Sequence, residues 1–296
     1  MFSEESLPNS TNLKPVTQED KSCAKTVTGT LIKTNRNIVK VLGSSWNTVS
    51  LEFNFLDLVN EAKSLPPTKR SLLKTSAKIF DPLDLLSPFT IQWKVLFQLL
   101  CHENVEWDDK LSNEHLEKWN LLISDLQSLN NVCVPRCYFE INGKVISVQL
   151  HCICDASEKT YAAATYLRSK YESGLVDVNL IAAKTRVAPL KKQSTPRLEL
   201  LGENILARLA SSIQKTLELF QDVELFYWVD SKTVLYWIKN AKPWKQYVLA
   251  RVKEIRECTT QGSWRHCPGV QNPDDHPSLG MSAKELVNDK RWWEGP

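Results

Sequence analysis

The sequence predicts an α/β protein built on a mixed sheet with flanking helices, and three stretches carry that prediction. Val148–Asp155 (VQLHCICD), Tyr161–Tyr171 and Val178–Val187 read as strands, spaced closely enough to form an antiparallel meander. A long helix is expected next, over Pro196–Leu217, with Leu198, Leu201, Ile205, Leu209 and Ile213 as its apolar stripe. Thr195 suits its N-cap and Pro196 its first helical position. Then the run Leu225–Val229 (LFYWV), apolar on both faces, stops abruptly at Asp230, and Val234, Trp237 and Ile238 follow at helical spacing. Such a run suits a central, covered strand. A helix over Val248–Cys258, a short strand SWRHC, a turn rich in Pro and Asp and a last short helix complete the pattern.

Upstream the pattern differs. Residues 1–27 are polar and aperiodic, a leader. NIVKVLGSSW and TVSLEFNF read as strands, the second alternating at Val49, Leu51, Phe53 and Phe55, with Gly43 and Ser44-Ser45 as the turn between them. Residues 69–101 read as helical, broken at DPLDLLSP, with Pro88 in the first turn of the second helix. Residues 112–129 form an amphipathic helix presenting Leu116, Trp119, Leu122, Ile123 and Leu126. Asp108-Asp109 has no buried strand to aim it and reads as a solvated turn. The expected division is 1–27 leader, 28–130 mostly helical region, 131–147 connector, 148–283 mixed sheet, 284–296 linker.

At 296 residues the chain can bury a sizeable core, and 42% hydrophobic with 24% charged residues is ordinary soluble composition. Net charge is +3, so contact with nucleic acid must come from local basic patches. No apolar run reaches the ~18 residues of a membrane span. The polar, acid-bearing start lacks the apolar core of a secretory signal, so the expected location is inside the cell, in cytoplasm or nucleus. Eight cysteines in this length are no disulfide scaffold. Cys133-x3-Cys137 and Cys152-x-Cys154 lack the second ligand pair that zinc requires, and a reducing compartment is expected.

Four separate segments offer carboxylates. Asp155 ends the first strand, Glu199 lies in the first turns of the long helix, Asp230 ends LFYWV, and Asp274 and Asp275 follow the last strand. Taken alone, Asp230 or Ser231 reads as a helix cap; the other acids argue for a shared site at one sheet edge. Clustered carboxylates repel unless a cation compensates, and hard oxygen ligands select Mg²⁺ or Mn²⁺. Two such ions about 4 Å apart clamp the attacking and leaving oxygens of a phosphodiester. Metal-dependent phosphodiester hydrolysis is the chemistry implied. Basic residues gather nearby: Lys184, Arg186, Lys191, Lys192 and Arg197 before the helix, and Lys242, Trp244 and Lys245 beyond Tyr236 and Trp237. Cations interleaved with aromatics suit a phosphate track beside stacking platforms. A solvated charged loop competes with this reading, and Trp237 reads as core.

The pieces KVLGSSW, TKRSLLKTSAKIFDPLDLLSPFTIQWKVLFQ and VEWDD, followed by CDAS, AAKTRVAPLKKQSTPRLELLG, FYWVDSKTVLYWI and WRHCPGVQNPDDHPSLG, carry a resemblance. Together they resemble the Pol polyprotein of Pao/BEL-type long-terminal-repeat retrotransposons, from the end of reverse transcriptase through ribonuclease H. The resemblance implies a ribonuclease H-like sheet that cuts the RNA strand of RNA–DNA hybrids. It places the catalytic, metal-holding acids on Asp155, Glu199, Asp230 and Asp275. Asp155 would bridge two Mg²⁺ ions, Asp275 would help hold the water-activating one, and Glu199 and Asp230 the leaving-group one. Asp274 is a stand-in for Asp275. The polymerase box Tyr-x-Asp-Asp does not occur in the chain, so no polymerase activity is expected. The other Pol domains are the implied partners, and KRWWEGP resembles the linker toward integrase.

Three positions depart from the family's pattern: Asp84 stands for glycine, Val270 for the histidine after Pro268-Gly269, and Leu279 for arginine. His266 and His276 read as ordinary loop or strand histidines. The alternative function is a decayed retrotransposon remnant that only binds nucleic acid. An aspartic peptidase would need Asp-Thr/Ser-Gly, and neither DAS at 155 nor VDS at 230 has the glycine.

Overall fold

The computed structural model describes residues 38–41, 44–47, 52–54, 59–135, 137–139, 143–217, 222–268 and 278–295. A small antiparallel sheet is built from β1 (Ile38–Val41), β2 (Ser44–Asn47), β3 (Glu52–Asn54) and β4 (Cys133–Pro135), in that order. Ser44 and Ser45 open β2 instead of forming the turn expected there. Cys133–Pro135, read as connector, is drawn into the sheet by pairing with β3.

Four helices follow: α1 (Val59–Ser64), α2 (Lys69–Lys78), α3 (Ser87–His102) and α4 (Asn113–Asp125), the last running into a 3-10 turn over Leu126–Asn131. Their starts are capped as short polar side chains dictate. Thr68 accepts from Ser71 N at 3.2 Å, Ser112 caps α4, and Pro88 occupies the first turn of α3. The DPLDLLSP break is held by Asp81, whose two oxygens accept from Leu85 N at 2.9 Å and Leu86 N at 2.6 Å.

The main sheet contains β5 (Val145–Ala156), β6 (Thr160–Tyr171), β7 (Val176–Val187), β8 (Glu224–Val229) and β9 (Trp264–His266), in the order β7-β6-β5-β8-β9. The first three strands pair antiparallel; β8 joins β5, and β9 joins β8, in parallel. It is thus a mixed five-stranded sheet with helices on its flanks. The middle strand is β5, not Leu225–Val229 as expected from its apolar run. Val229 and Tyr227 are buried all the same, because helices cover that face.

One face lies under α5 (Thr195–Leu217) and α7 (Gln246–Cys258), with Leu150, Cys152, Ala163, Leu206, Tyr227 and Ile255 in its core. The opposite face packs on α3, α4 and the C-terminal helices α8 (Ala283–Asn288) and α9 (Lys290–Glu294), through Ile153, Ala164, Tyr166, Trp93, Trp119 and Trp292. Each large side chain so buried contributes about 1.5–3 kcal/mol. Residues 284–295, read as linker, therefore form two docked helices, and Trp292 Nε1 donates to Leu85 O at 2.8 Å.

The stripe expected on α5 is out of phase. Of its members only Leu198 is fully buried, whereas Leu200, Gly202, Glu203, Leu206, Ala207 and Ala210 face inward. Small residues let this helix approach the strands closely. A Cβ on Gly202 would stand 3.4 Å from the Asp155 carbonyl oxygen and 3.6 Å from that of Ala162. The helix also starts at Thr195, its first turn closing on the Ser194 carbonyl. No helix among the described residues is long and apolar enough to cross a membrane.

Candidate active site

Parallel pairing of β5 and β8 brings two expected acids together. Ile153 lies opposite Trp228, so Asp155 and Asp230, each two residues further, end neighbouring strands at the same level. Adjacent strands are separated by about 4.8 Å. Ser231 caps α6 (Lys232–Lys239) by accepting from Val234 N at 3.4 Å. The cap reading therefore holds for Ser231 and leaves the Asp230 carboxylate free of that role.

Glu199 reaches the same corner from α5, where its Oε2 accepts from Ser231 Oγ at 2.5 Å. Burial raises the Glu199 carboxyl above the usual range; the Ser231 hydrogen bond opposes this, and the Asp230 charge adds to it. Asp230 is likewise raised by burial, against backbone hydrogen bonds and the nearby His266. His266 Nε2 lies 3.1 Å from the Asp230 carbonyl oxygen, which ties β9 to the end of β8. Asp155 accepts from Ser278 Oγ, and the Ser278 carbonyl accepts from Ser157 Oγ at 2.6 Å and from Thr160 Oγ1. The chain after the last loop is thereby stitched to the β5–β6 turn.

Asp275, with Asp274, His276 and Val270, lies outside the described residues. Leu279 is 77% exposed beside Ser278. Among the described residues no three His, Cys, Asp or Glu side chains gather closely enough to enclose a metal ion. The donor chemistry nevertheless suits a hard cation. Glu199 and Asp230 repel one another, and among the described residues neither has a Lys or Arg within ion-pair distance.

Two participants escaped sequence reasoning. Glu203, one turn beyond Glu199, is 1% exposed, and its Oε2 has no hydrogen-bond partner. Burial raises its carboxyl well above the usual range, the Glu199 and Asp230 charges add to this, and the Cys154 thiol bonds to it. A glutamate inside an amphipathic helix reads as solvent-facing; its spacing of three and four from Leu206 and Ala207 was the one signal to the contrary. Ser278 was missed because nothing local marks a serine that closes a contact over 123 residues.

The expected nucleic-acid contacts divide. Lys184 is engaged by Asp84 at 3.2 Å, on the β7 edge. Asp84 has φ 52°, the left-handed region that a glycine occupies without strain. Arg186, Lys191, Lys192 and Arg197 are exposed, Lys192 lying 4.0 Å from Glu158. Lys242 Nζ donates to the Tyr236 hydroxyl, at the edge of that ring. Trp244 packs against Tyr236 and Trp237, and Lys245 is exposed at the start of α7. Trp237 is partly buried against the core, as expected.

No curated protein matches the sequence. Among solved structures, a foamy viral protease–reverse transcriptase in complex with double-stranded DNA is similar at 16% identity and TM-score 0.44, over 79% of this chain and 38% of that one. RNase H1 from Halobacterium salinarum is 16% identical over 41% of this chain and 87% of that one, with TM-score 0.27. An RNase H1 in complex with an RNA/DNA hybrid is 14% identical over 43% of this chain and 88% of that one, TM-score 0.27. The chain spans less than half the length of the foamy viral proteins, 38% and 45% of the two chains compared. The model of the Pao retrotransposon-like RNaseH-like domain matches residues 68–231, from the cap of α2 to the cap of α6. Residues 68–231 are more than half of the 296, and the chain belongs to the Pao retrotransposon-like RNaseH-like domain family.

Proposed function

We propose that this chain is a retroelement ribonuclease H-type endonuclease that hydrolyses the RNA strand of RNA–DNA hybrids by two-metal catalysis, without polymerase activity. The observation that carries the reading is the corner where β5 and β8 end at one level in Asp155 and Asp230, with Glu199 turned toward them from α5. Asp155, Glu199, Asp230 and Asp275 would hold the ions. Two Mg²⁺ ions, or Mn²⁺, supply the Lewis acidity that steadies charge developing on the phosphodiester.

The rest is the work of this chain's own groups. Ser231 and Ser278 orient oxygens of Glu199 and Asp155, so those carboxylates are set before substrate arrives. Gly202 allows α5 to lie against the Asp155 backbone, which fixes Glu199 relative to the strand ends. Behind the site, burial favours the protonated form of Glu203, and the Glu199 and Asp230 charges add to this. Arg186, Lys191, Lys192 and Arg197 hold phosphates on one side, and Lys242 and Lys245 on the other, with Trp244 as a stacking platform beside them. Lys184, already paired with Asp84, stays outside this track. The 2′-hydroxyls and A-like groove of the hybrid separate its RNA strand from DNA. The other domains of the Pol polyprotein are its partners.

The test is a hybrid labelled on each strand in turn, with duplex DNA alongside. Mg²⁺-dependent shortening of the RNA strand alone supports the reading. Binding without cutting in either metal would leave only the nucleic-acid-binding remnant.

A further inference from the structure

A groove of about 1010 Å³ runs between α3, α4, the β5–β6 turn, the chain after β7 and the segment 278–284. Its floor is apolar, with Val95 and Leu99 from α3, Leu122 from α4 and Ala188 from beyond β7. Three leucines from separate segments stand at its rim: Leu121 is 68%, Leu190 60% and Leu279 77% exposed. One exposed leucine is ordinary, but several converging on one groove mark a partner site. The main chain of the walls is already used. Ala188 N donates to Lys159 O at 2.7 Å and Met281 N to Pro88 O at 2.8 Å. Gln98 donates to Ala188 O at 2.8 Å and Gln92 to Met281 O at 2.6 Å. The groove's inner end is lined by Thr160 and Ser278, whose bonds lead to Asp155, so an occupant would sit beside the acids.

Shape and charge together select the occupant. Gln92, Val95, Leu99 and His102 line the groove at helical spacing over about 15 Å, or three turns. A third helix laid against α3 and α4 buries its own apolar stripe there. An added strand finds no open ladder, because both main-chain groups of Ala188 and of Met281 are bonded. The titratable side chains facing the groove are His102, Lys118, Asp125, Glu158, Lys159 and Lys284. Asp125 accepts from Ala283 N and Lys284 N, Glu158 lies 4.0 Å from Lys192, and Lys118 pairs with Glu114 at 2.6 Å. Lys159 and Lys284 form no ion pair among the described residues, so the charge left at the rim is positive. A second copy across a two-fold axis would bring cationic rim to cationic rim. Nucleobases would find no Trp, Tyr or Phe among the lining residues to stack on. We propose that this groove docks an amphipathic helix of a partner protein, with leucine-like side chains at i, i+3, i+4 and i+7 and carboxylates on its flanks. The proposal goes beyond the hydrolytic reading and does not depend on it.

The test is fluorescence anisotropy of the intact chain with a labelled helical probe of about 18 residues, carrying leucines at i, i+3, i+4 and i+7 and glutamates beside them. A second probe has lysine for every glutamate, and thermal midpoints confirm folded variants. The glutamate probe should bind saturably and about tenfold tighter than the lysine probe. Leu121→Ser and Leu190→Ser, both at exposed positions, should each weaken it about tenfold. Leu175→Ser, at the far turn between β6 and β7, should leave it unchanged. Lys159→Glu combined with Lys284→Glu should reverse the preference between the probes. No saturable binding, equal binding of both probes, or indifference to the leucine variants would overturn the proposal. A dimer in sedimentation that Leu121→Ser dissolves would assign the face to a second copy. Hybrid affinity that falls in Leu121→Ser would assign it to nucleic acid, and either result overturns the helix.

Discussion

Asp230 and Glu199 oppose folding in the metal-free molecule. Both carboxyls are raised by burial, and the Asp230 charge raises Glu199 further. A raised acid favours the fold fully below its unfolded value, and that contribution is lost as pH rises through the folded value. Metal-free protein should therefore lose stability from these groups on going from acid toward neutral pH. At pH 7 in EDTA, Asp230→Asn should raise the thermal midpoint by about 1–3 °C, and on the proposed function the variant should lack the Mg²⁺-dependent rise expected of the wild type. A lower midpoint in EDTA would contradict the repulsion. Glu203 makes a parallel case. Because burial favours the protonated form of its carboxyl, Glu203→Gln should cost no more than about 1 kcal/mol in urea unfolding, whereas Glu203→Ala should cost about 2–3 kcal/mol. Equal losses would mean that an ionised Glu203 is needed. The two strand-end aspartates were legible because an apolar run that stops at a charge marks where a covered strand meets solvent. Glu203 was not, since burial of a helical glutamate is decided by Cys154 and the sheet beneath it, which no local pattern encodes.

The loop between α2 and α3 acts as a lid on the free edge of β7. Ala183 N donates to Leu83 O at 2.8 Å, Thr185 N donates to Asp84 Oδ2 at 3.3 Å, and Lys184 and Lys94 flank Asp84. Covering an edge in this way blocks pairing with another chain. Asp84 accepts a left-handed backbone for the sake of these contacts. Asp84→Ala keeps the strain and loses the bonds, so it should be less stable than Asp84→Gly by about 1 kcal/mol; alanine equal to glycine would refute the strain. Within the same loop, burial pushes Asp81 up to about 6 despite its two backbone bonds, with the Asp84 charge adding to it. Its favourable contribution is complete below about 3.8 and lost as pH rises through about 6. The fall of the thermal midpoint across that window should be shallower in Asp81→Asn. The aspartate-for-glycine departure was readable in the chain, but its consequence for Lys184 depended on a contact across 100 residues. The α5 stripe failed for a similar reason: Gly202, Ala207 and Ala210 face the strands because they are small, and size is invisible to a hydrophobic count.

Across the whole molecule, the helical region is part of what holds the site. Asp125 at the end of α4 accepts from Ala283 N and from Lys284 N at 3.1 Å, and Gln92 donates to Met281 O at 2.6 Å. Those contacts anchor the segment that begins at Ser278, whose hydroxyl holds Asp155. Trp292, fully buried in the same core, should cost about 3–5 kcal/mol on replacement by alanine, read by urea unfolding. Order of elements and the positions of Asp155, Glu199 and Asp230 were legible from periodicity and resemblance. The docking of α8 and α9 was not, because KRWWEGP is too short to show which surface its tryptophans meet. On the proposed function, the acids at one sheet corner cut RNA. The most direct test is cleavage of an RNA–DNA hybrid in Mg²⁺ by the wild type beside Asp155→Asn and Asp230→Asn. RNA-strand cutting is expected of the wild type, with loss of at least about a hundredfold in both variants and hybrid binding retained. Equal cutting by all three, or none by the wild type with Mg²⁺ bound, would contradict it.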